Sequence, residues 1–299
     1  MSDSILNSII LLASLGTIAA VVLYIVSKKF YVYEDPLIAE VDDLLPAANC
    51  AGCGSPGCKA FAEKLVATDD ISDLFCPVGG NEVMKSIANL LGKEVNEKEP
   101  MVAVLLCNGS CEVRPKTTQF QGPDSCAISA MIFSGETDCQ YGCLGKGECV
   151  DACDFEAMYM DKETGLPVII TDQCTACGAC VAACPKDIIE MRPKNKRDLK
   201  IYVACMNQEK GGIAKKACSV ACIGCSKCLK VCPSEAITID NFLAYIDADA
   251  CTLCRKCVEV CPTHAIIETN FPPKKVKVKT HFNASPSQSK VELKTENDA

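Results

Sequence analysis

Cysteine spacing constrains this chain more than any other feature. Its 299 residues include 25 Cys, far above ordinary usage, and most fall into recurring runs. Three stretches read C-x2-C-x2-C-x3-C-P: Cys174, Cys177, Cys180, Cys184 and Pro185; Cys222, Cys225, Cys228, Cys232 and Pro233; and Cys251, Cys254, Cys257, Cys261 and Pro262. This is the ligand run of bacterial ferredoxins, in which three thiolates hold one [4Fe–4S] cubane and the fourth ligates the neighbouring cluster. The N–H groups between the first three Cys are free to face the cluster's sulfurs. The fourth Cys is expected to open a helix pointing away. A disulfide framework suits short secreted chains, whereas this chain is long and its Cys count is odd. Zinc sites use paired C-x2-C knuckles with four ligands to each ion, a pattern that three ferredoxin runs do not follow.

A fourth run is altered. Cys139, Cys143, Cys149 and Cys153 have three, five and three residues between them, and Asp154 replaces the usual Pro. The following Phe155-Glu156-Ala157-Met158 still resembles Ser234-Glu235-Ala236-Ile237. The altered run therefore pairs with the Cys174 run, and the Cys222 run with the Cys251 run. The crossing rule groups Cys139, Cys143, Cys149 and Cys184 on one cluster, and Cys174, Cys177, Cys180 and Cys153 on a second. A third takes Cys222, Cys225, Cys228 and Cys261, and a fourth Cys251, Cys254, Cys257 and Cys232. Nearer the N-terminus, Cys50, Cys53, Cys58 and Cys76 (C-x2-C-x4-C-x17-C) lie in a loop with Gly52, Gly54 and Gly57, which lets backbone approach a cluster closely. These five [4Fe–4S] sites use 20 of the Cys. Cys107, Cys111, Cys126, Cys205 and Cys218 remain. Four of them could hold a sixth cluster, or they are buried free thiols, and Cys218 could stand in for Cys222 or Cys225.

The Cys series also reveals an internal repeat. Cys126, Cys139, Cys143, Cys149 and Cys153 are separated by 13, 4, 6 and 4 positions, as are Cys205, Cys218, Cys222, Cys228 and Cys232. Each series begins after a short β-like run, Met101–Leu106 or Ile201–Ala204. The expected fold is α+β: a transmembrane anchor (1–33), a small four-Cys iron–sulfur domain (34–92), two tandem bacterial ferredoxin-like units (93–198 and 199–270), and a disordered tail (271–299). Within the four-Cys domain, 34–48 reads as a short helix closed by Pro46, 82–91 as an amphipathic helix, and 92–100 as a linker.

Ile5 to Val26 is 22 residues without a charge, long enough to span a bilayer. Lys28 and Lys29 follow it and Asp3 precedes it. The positive-inside rule then puts the Cys-rich part in the cytoplasm, with Tyr24, Tyr31 and Tyr33 near the interface. A formal charge of −8 argues against a nucleic-acid partner. There is no Trp and few aromatics, so clusters are expected to replace part of the core, leaving the Cys-rich part poorly folded without iron. His264, in the turn after Cys261, reads as a residue at the surface or just behind a cluster's ligands, with a ligand or proton-carrier role as the alternative. The stretch Arg192 to Arg197 is basic, as are Lys200, Lys210, Lys215 and Lys216. It reads as a solvated connector between the repeats, or as a patch that steers an acidic electron donor. Lys274, Lys275, Lys277 and Lys279 in the tail are candidates for contact with anionic lipid. No Ser-His-Asp set, paired catalytic carboxylates or dinucleotide fingerprint is present, so this chain is not expected to bind NAD or flavin itself.

The apolar anchor, the NCAGCGSPGC…CPVGG segment, and the tandem units with GCLGKGECVDAC and GCIGCSKCLKVCP together resemble the B subunit of the Rnf complexes over about residues 1–268. The resemblance implies a bacterial inner-membrane assembly coupling electron transfer between ferredoxin and NAD⁺ to Na⁺ or H⁺ movement. It implies reduced ferredoxin and the other membrane subunits as partners, and the bilayer as surroundings. A membrane-tethered polyferredoxin serving an unrelated reductase, or a scaffold whose clusters are structural, is the alternative.

Overall fold

In the computed structural model, which describes residues 2–29, 35–132 and 134–272, the apolar segment is one helix, α1 (Ser2–Lys29). Its stretch from Ile9 to Lys29 is long and apolar enough to cross a membrane, and none of the apolar window is buried against protein. Two of the hydroxyls that interrupt it are satisfied internally. Ser14 Oγ donates to the Leu11 carbonyl at 2.9 Å and Thr17 Oγ1 to that of Ala13 at 2.7 Å, which is what a hydrocarbon environment requires. Tyr31, Tyr33 and the Lys-rich tail lie outside the described residues.

Three helices carry the N-terminal Cys segment: α2 (Pro36–Leu44), α3 (Cys58–Ala67) and α4 (Gly80–Leu91). Asp35 caps α2 by accepting the Leu37 N–H at 3.0 Å, with Pro36 at the first helical position. The apolar faces meet in one core of Val41, Leu45, Phe61, Leu65, Ile71, Met84 and Ile87. The stretch after α4, expected as a loose linker, is fastened down. Lys93 Nζ donates to the carbonyls of Leu65, Val66 and Thr68 at 2.7, 3.0 and 2.7 Å. These are carbonyls that the end of α3 leaves without helical partners. Asn81 also brackets the Lys98 backbone, donating to its carbonyl and accepting its N–H.

The repeat seen in the Cys series is a repeat of topology. The first unit runs β1 (Met101–Leu105), α5 (Cys126–Ile132), α6 (Glu148–Asp151), β2 (Met158–Met160), β3 (Pro167–Ile169), α7 (Ala179–Ala183) and β4 (Ile189–Pro193). The second runs β5 (Lys200–Val203), α8 (Gly211–Ala217), α9 (Lys227–Val231), β6 (Ile237–Asp240), β7 (Leu243–Ile246), α10 (Lys256–Val260) and β8 (Ile266–Thr269). In each, the first and last strands pair antiparallel, Leu105 opposite Ile189 and Val203 opposite Ile266. The middle strands form a hairpin, Met158 opposite Ile169 and Ile237 opposite Ile246. The short helices pair too, α6 with α7 and α9 with α10.

The units meet through Val104 and Leu106 against Tyr202 and Ala204. Arg192 is buried in this seam, its guanidinium 5.7 Å from the Tyr202 ring centre and 5.3 Å from that of Tyr245, and paired with Glu190. Lys200 is buried against Asp198. Neither cation belongs to a solvated connector or a steering patch, because both are engaged inside the fold; of that loop's cations Lys196 and Arg197 stay exposed.

Candidate iron–sulfur sites

Each run is shaped in the same way. Its third Cys lies in the short helix: Cys149 in α6, Cys180 in α7, Cys228 in α9 and Cys257 in α10. The fourth does not open a helix, as expected from sequence, but ends one. Cys184, Cys232 and Cys261 are the C-terminal caps of α7, α9 and α10, each extended, with ψ of 108°, 115° and 111°. The cause is the following Pro, which excludes the helical region from the residue before it. Three residues beyond each fourth Cys the backbone turns left-handed, at Glu156, Asp187, Glu235 and His264, with φ of 52°, 51°, 52° and 54°. In the second unit this turn aims N–H groups at sulfur. Burial would raise the Cys232 thiol, but bonds from the Ser234 hydroxyl and the N–H groups of Ser234, Ala236 and Glu235 carry it below its ordinary pKa. His264 is the fourth member of this set of turns, and it is exposed.

Two cages hold the thiols that the crossing rule groups. One apolar cavity is lined by Cys153, Cys174, Cys177 and Cys180, and another by Cys222, Cys225, Cys228 and Cys261. Around Cys251, the Cys232 and Cys254 charges act together, and Cys257 feels Cys251 and Cys254, so this third expected group is also assembled.

The altered run departs from expectation at one ligand. Its cavity is lined by Cys143, Cys149, Cys184 and Cys126, and Cys139 is not among the lining residues. The reason lies in the loop. The three regular runs are left-handed two residues after the first Cys and two after that: Ala176 and Gly178, Gly224 and Ser226, Leu253 and Arg255. The altered run keeps this course at Gly145 and Gly147, with φ of 70° and 86°, but carries Lys146 where the central Cys would be. The missing thiol comes from the start of α5. Glu148 at the head of α6 holds it there, accepting the Ala127 N–H at 3.0 Å and the Ser125 hydroxyl. Each of the three cavities gathers four thiols among apolar side chains, which suits one kind of occupant.

In the N-terminal segment, Cys53 and Cys58 act on the buried Cys76, whose Sγ accepts the Gly79 N–H at 3.3 Å. Asn49 and Ala51 are left-handed on either side of Cys50, and Asn49 Oδ1 accepts the Cys58 N–H at 2.8 Å. Gly52 rests on the neighbouring cage: a Cβ there would stand 2.8 Å from the Cys177 carbonyl oxygen.

Of the remaining thiols, Cys107, Cys139 and Cys218 are buried, Cys205 is half-buried, and Cys111 is exposed. Burial first, then neighbouring thiolates, push Cys149 and Cys257 up to about 12, and Cys180 and Cys228 to about 11. Such crowded thiols favour a soft cation centre that takes up their charge, as iron–sulfur clusters do. Among the described residues no three ligand-type side chains close on a point as they would around a single ion. A cubane, with four irons inside its thiolates, takes a wider cage.

Family models agree with this division. A model described as "4Fe-4S dicluster domain" matches residues 138–188 and again 221–265, and one described as "Putative Fe-S cluster" matches 45–77. The chain is similar to the B subunit of the ion-translocating oxidoreductase complex of Methanosarcina acetivorans, at 43% identity over 83% of this chain and 92% of the relative. It is 40% identical to the B subunit of the Na(+)-translocating ferredoxin:NAD(+) oxidoreductase complex of Acetobacterium woodii, over 83% of this chain and 73% of that one. It is also 40% identical to the B subunit of the proton-translocating ferredoxin:NAD(+) oxidoreductase complex of Clostridium ljungdahlii, over 82% and 85%.

Proposed function

This chain belongs to the B subunits of ion-translocating ferredoxin:NAD⁺ oxidoreductase complexes, and on that premise we propose that it takes electrons from reduced ferredoxin at its second unit and delivers them at its N-terminal cage. It is an electron-transfer subunit with [4Fe–4S] clusters, and other subunits of its complex are its partners. Five clusters are assigned to Cys50, Cys53, Cys58 and Cys76; to Cys126, Cys143, Cys149 and Cys184; to Cys153, Cys174, Cys177 and Cys180; to Cys222, Cys225, Cys228 and Cys261; and to Cys232, Cys251, Cys254 and Cys257. Bound there, such clusters take up and release single electrons.

The observation that carries the direction is exposure. Among these 20 thiols, Cys225 and Cys254 are the exposed ones, so a soluble carrier comes nearest to sulfur in the second unit. Lys227, Lys230 and Lys256 stand exposed beside them, on a chain of net charge −8. A cationic patch of this kind draws an acidic carrier and orients it. At the far end, the Gly52 loop lies on the Cys177 loop, so the N-terminal cage continues the series toward the membrane helix in chain order. That helix anchors the chain in the cytoplasmic membrane, with Lys28 and Lys29 on the inner side and the Cys-rich part in the cytoplasm. Which ion the complex moves is left to its other subunits, since relatives named as Na⁺- and proton-translocating are equally similar to this chain.

The test is anaerobic purification of the full chain, with iron and sulfide quantified and EPR recorded during titration with reduced ferredoxin. Iron at four per cage, with signals growing as ferredoxin is added, supports the reading. Iron that ferredoxin leaves oxidised would point to a polyferredoxin with another donor.

A further inference from the structure

We propose that Phe242 is the apolar anchor on which the acidic electron carrier docks, beside the exposed Cys225 sulfur and with Lys227 and Lys230 as the charged part of the same surface. The turn that carries it breaks a backbone rule. β6 and β7 are joined by Asn241 and Phe242 alone, since Asp240 pairs with Leu243. Both turn residues are left-handed, with φ of 46° and 62°. A two-residue turn of this kind prefers Asn followed by Gly, because both positions need positive φ. Asn241 follows that preference and Phe242 does not. A bulky side chain at positive φ is a genuine outlier. Burial does not account for it, because Phe242 is 47% exposed.

The first unit shows the same place without such a residue. Ile169 and Ile246 are equivalent in the two hairpins, paired with Met158 and Ile237. Counting back equally from each reaches Gly165 and Phe242. Both are left-handed, with φ of 70° and 62°. Both set their carbonyls on a glycine of the cage loop. A Cβ on Gly145 would stand 3.1 Å from the Gly165 oxygen, and one on Gly224 would stand 2.7 Å from the Phe242 oxygen. The backbone requirement is therefore shared, and glycine meets it. The units differ in the residue after the loop glycine. Gly145 is followed by Lys146, and Gly224 by Cys225, an exposed thiol. The ring thus stands in the unit whose loop brings sulfur to the surface, and glycine in the unit whose loop lacks its central thiol. Strained residues of this kind persist at binding and functional sites.

The surroundings indicate what the ring meets. The Phe242 carbonyl oxygen lies 4.0 Å from Cys222 Sγ, so the turn rests on the cage itself. From Gly224 the chain runs on through Cys225, Lys227, Leu229 and Lys230, all of them exposed. A ring beside cations and exposed sulfur fits a small acidic protein that carries its own redox centre near an apolar spot on its surface. The lysines steer and orient that protein. The aromatic ring, desolvated on contact, supplies the held affinity and fixes how closely the two redox centres approach. This rests on the relay reading and names the contact within it.

The experiment is stopped-flow reduction of the anaerobically purified, iron-loaded full chain across a range of reduced-ferredoxin concentrations. Phe242→Gly is expected to keep its iron and its EPR signals, because glycine takes this turn without strain. It is expected to need about tenfold more ferredoxin for half-maximal rate. That deficit should persist at high ionic strength, where effects of charge fade. Phe242→Tyr keeps a ring and is expected to match the wild type. A Phe242→Gly chain with unchanged half-saturation overturns the anchor and leaves the relay standing. So does one that loses the signal of the Cys222 cluster, since the ring would then be structural. A wild-type chain that ferredoxin does not reduce overturns the relay reading and the anchor with it.

Discussion

A thiolate in a low-dielectric site is stable only when cations or N–H dipoles face it, and at many of its thiols this chain supplies them from the residue two positions on. Cys76 receives the Val78 N–H, Cys143 that of Gly145, Cys205 that of Asn207, Cys218 that of Val220 and Cys251 that of Leu253. Even so, burial pushes Cys143 and Cys205 up to about 12, so in the iron-free chain they are neutral at pH 7. Cluster ligation needs thiolates, so loading the chain near pH 7 is expected to release protons. A weakly buffered reconstitution should acidify in proportion to iron taken up; no proton release would mean that the thiols were already ionised. Arg114 is the residue most exposed to test. Its guanidinium donates to the Gly109 carbonyl, Thr137 Oγ1 and the Cys143 carbonyl at 3.3, 3.1 and 2.6 Å, joining three loops that carry Cys. Arg114→Met leaves buried carbonyls without donors, at a cost of about 2–4 kcal/mol. Lower unfolding temperature and incomplete iron loading are the expected readouts.

At the scale of elements, the cluster loop is a backbone course before it is a set of ligands. This explains what could be read in advance. The regular runs are legible because their spacing alone encodes the loop, the short helix and the Pro that ends it. Proximity in sequence groups Cys139 with the altered run, whereas the fold takes Cys126 from α5. The signal lies in Gly145 and Gly147 flanking Lys146, a loop that keeps its turns while lacking its central thiol. What sequence does not carry is long-range: Asn207 reaching Cys139 across 68 positions, and Arg192 closing the seam between repeats. Cys126→Ala is expected to cost one cluster, about four irons, with the remaining signals intact; unchanged iron and EPR would return Cys139 to that cage. Gly52→Ala probes the junction between the N-terminal segment and the first unit. The new Cβ would meet the Cys177 carbonyl at 2.8 Å, an overlap that typically costs about 1–3 kcal/mol. Iron content should hold while electron arrival at the N-terminal cluster slows.

For the whole molecule, the arrangement reads as an acidic body with a cationic face near exposed sulfur and an apolar helix whose membrane-length window is not buried against the described residues. Lys227→Glu/Lys230→Glu is expected to lower the ferredoxin association rate by about tenfold at low salt, with the difference fading as ionic strength rises. Stopped-flow mixing across a salt series reads this directly, and an unchanged rate would move the docking face elsewhere. The order in which the clusters fill follows from the same layout. The most direct measurement is rapid freeze-quench EPR of the full chain mixed with substoichiometric reduced ferredoxin. Variants lacking the Cys225 or the Cys53 ligand would assign the signals. The account predicts that second-unit clusters are reduced first and the N-terminal cluster last. Reduction of the Cys53 cluster ahead of the second unit, or at full rate in a chain whose Cys225 cluster is lost, would contradict it.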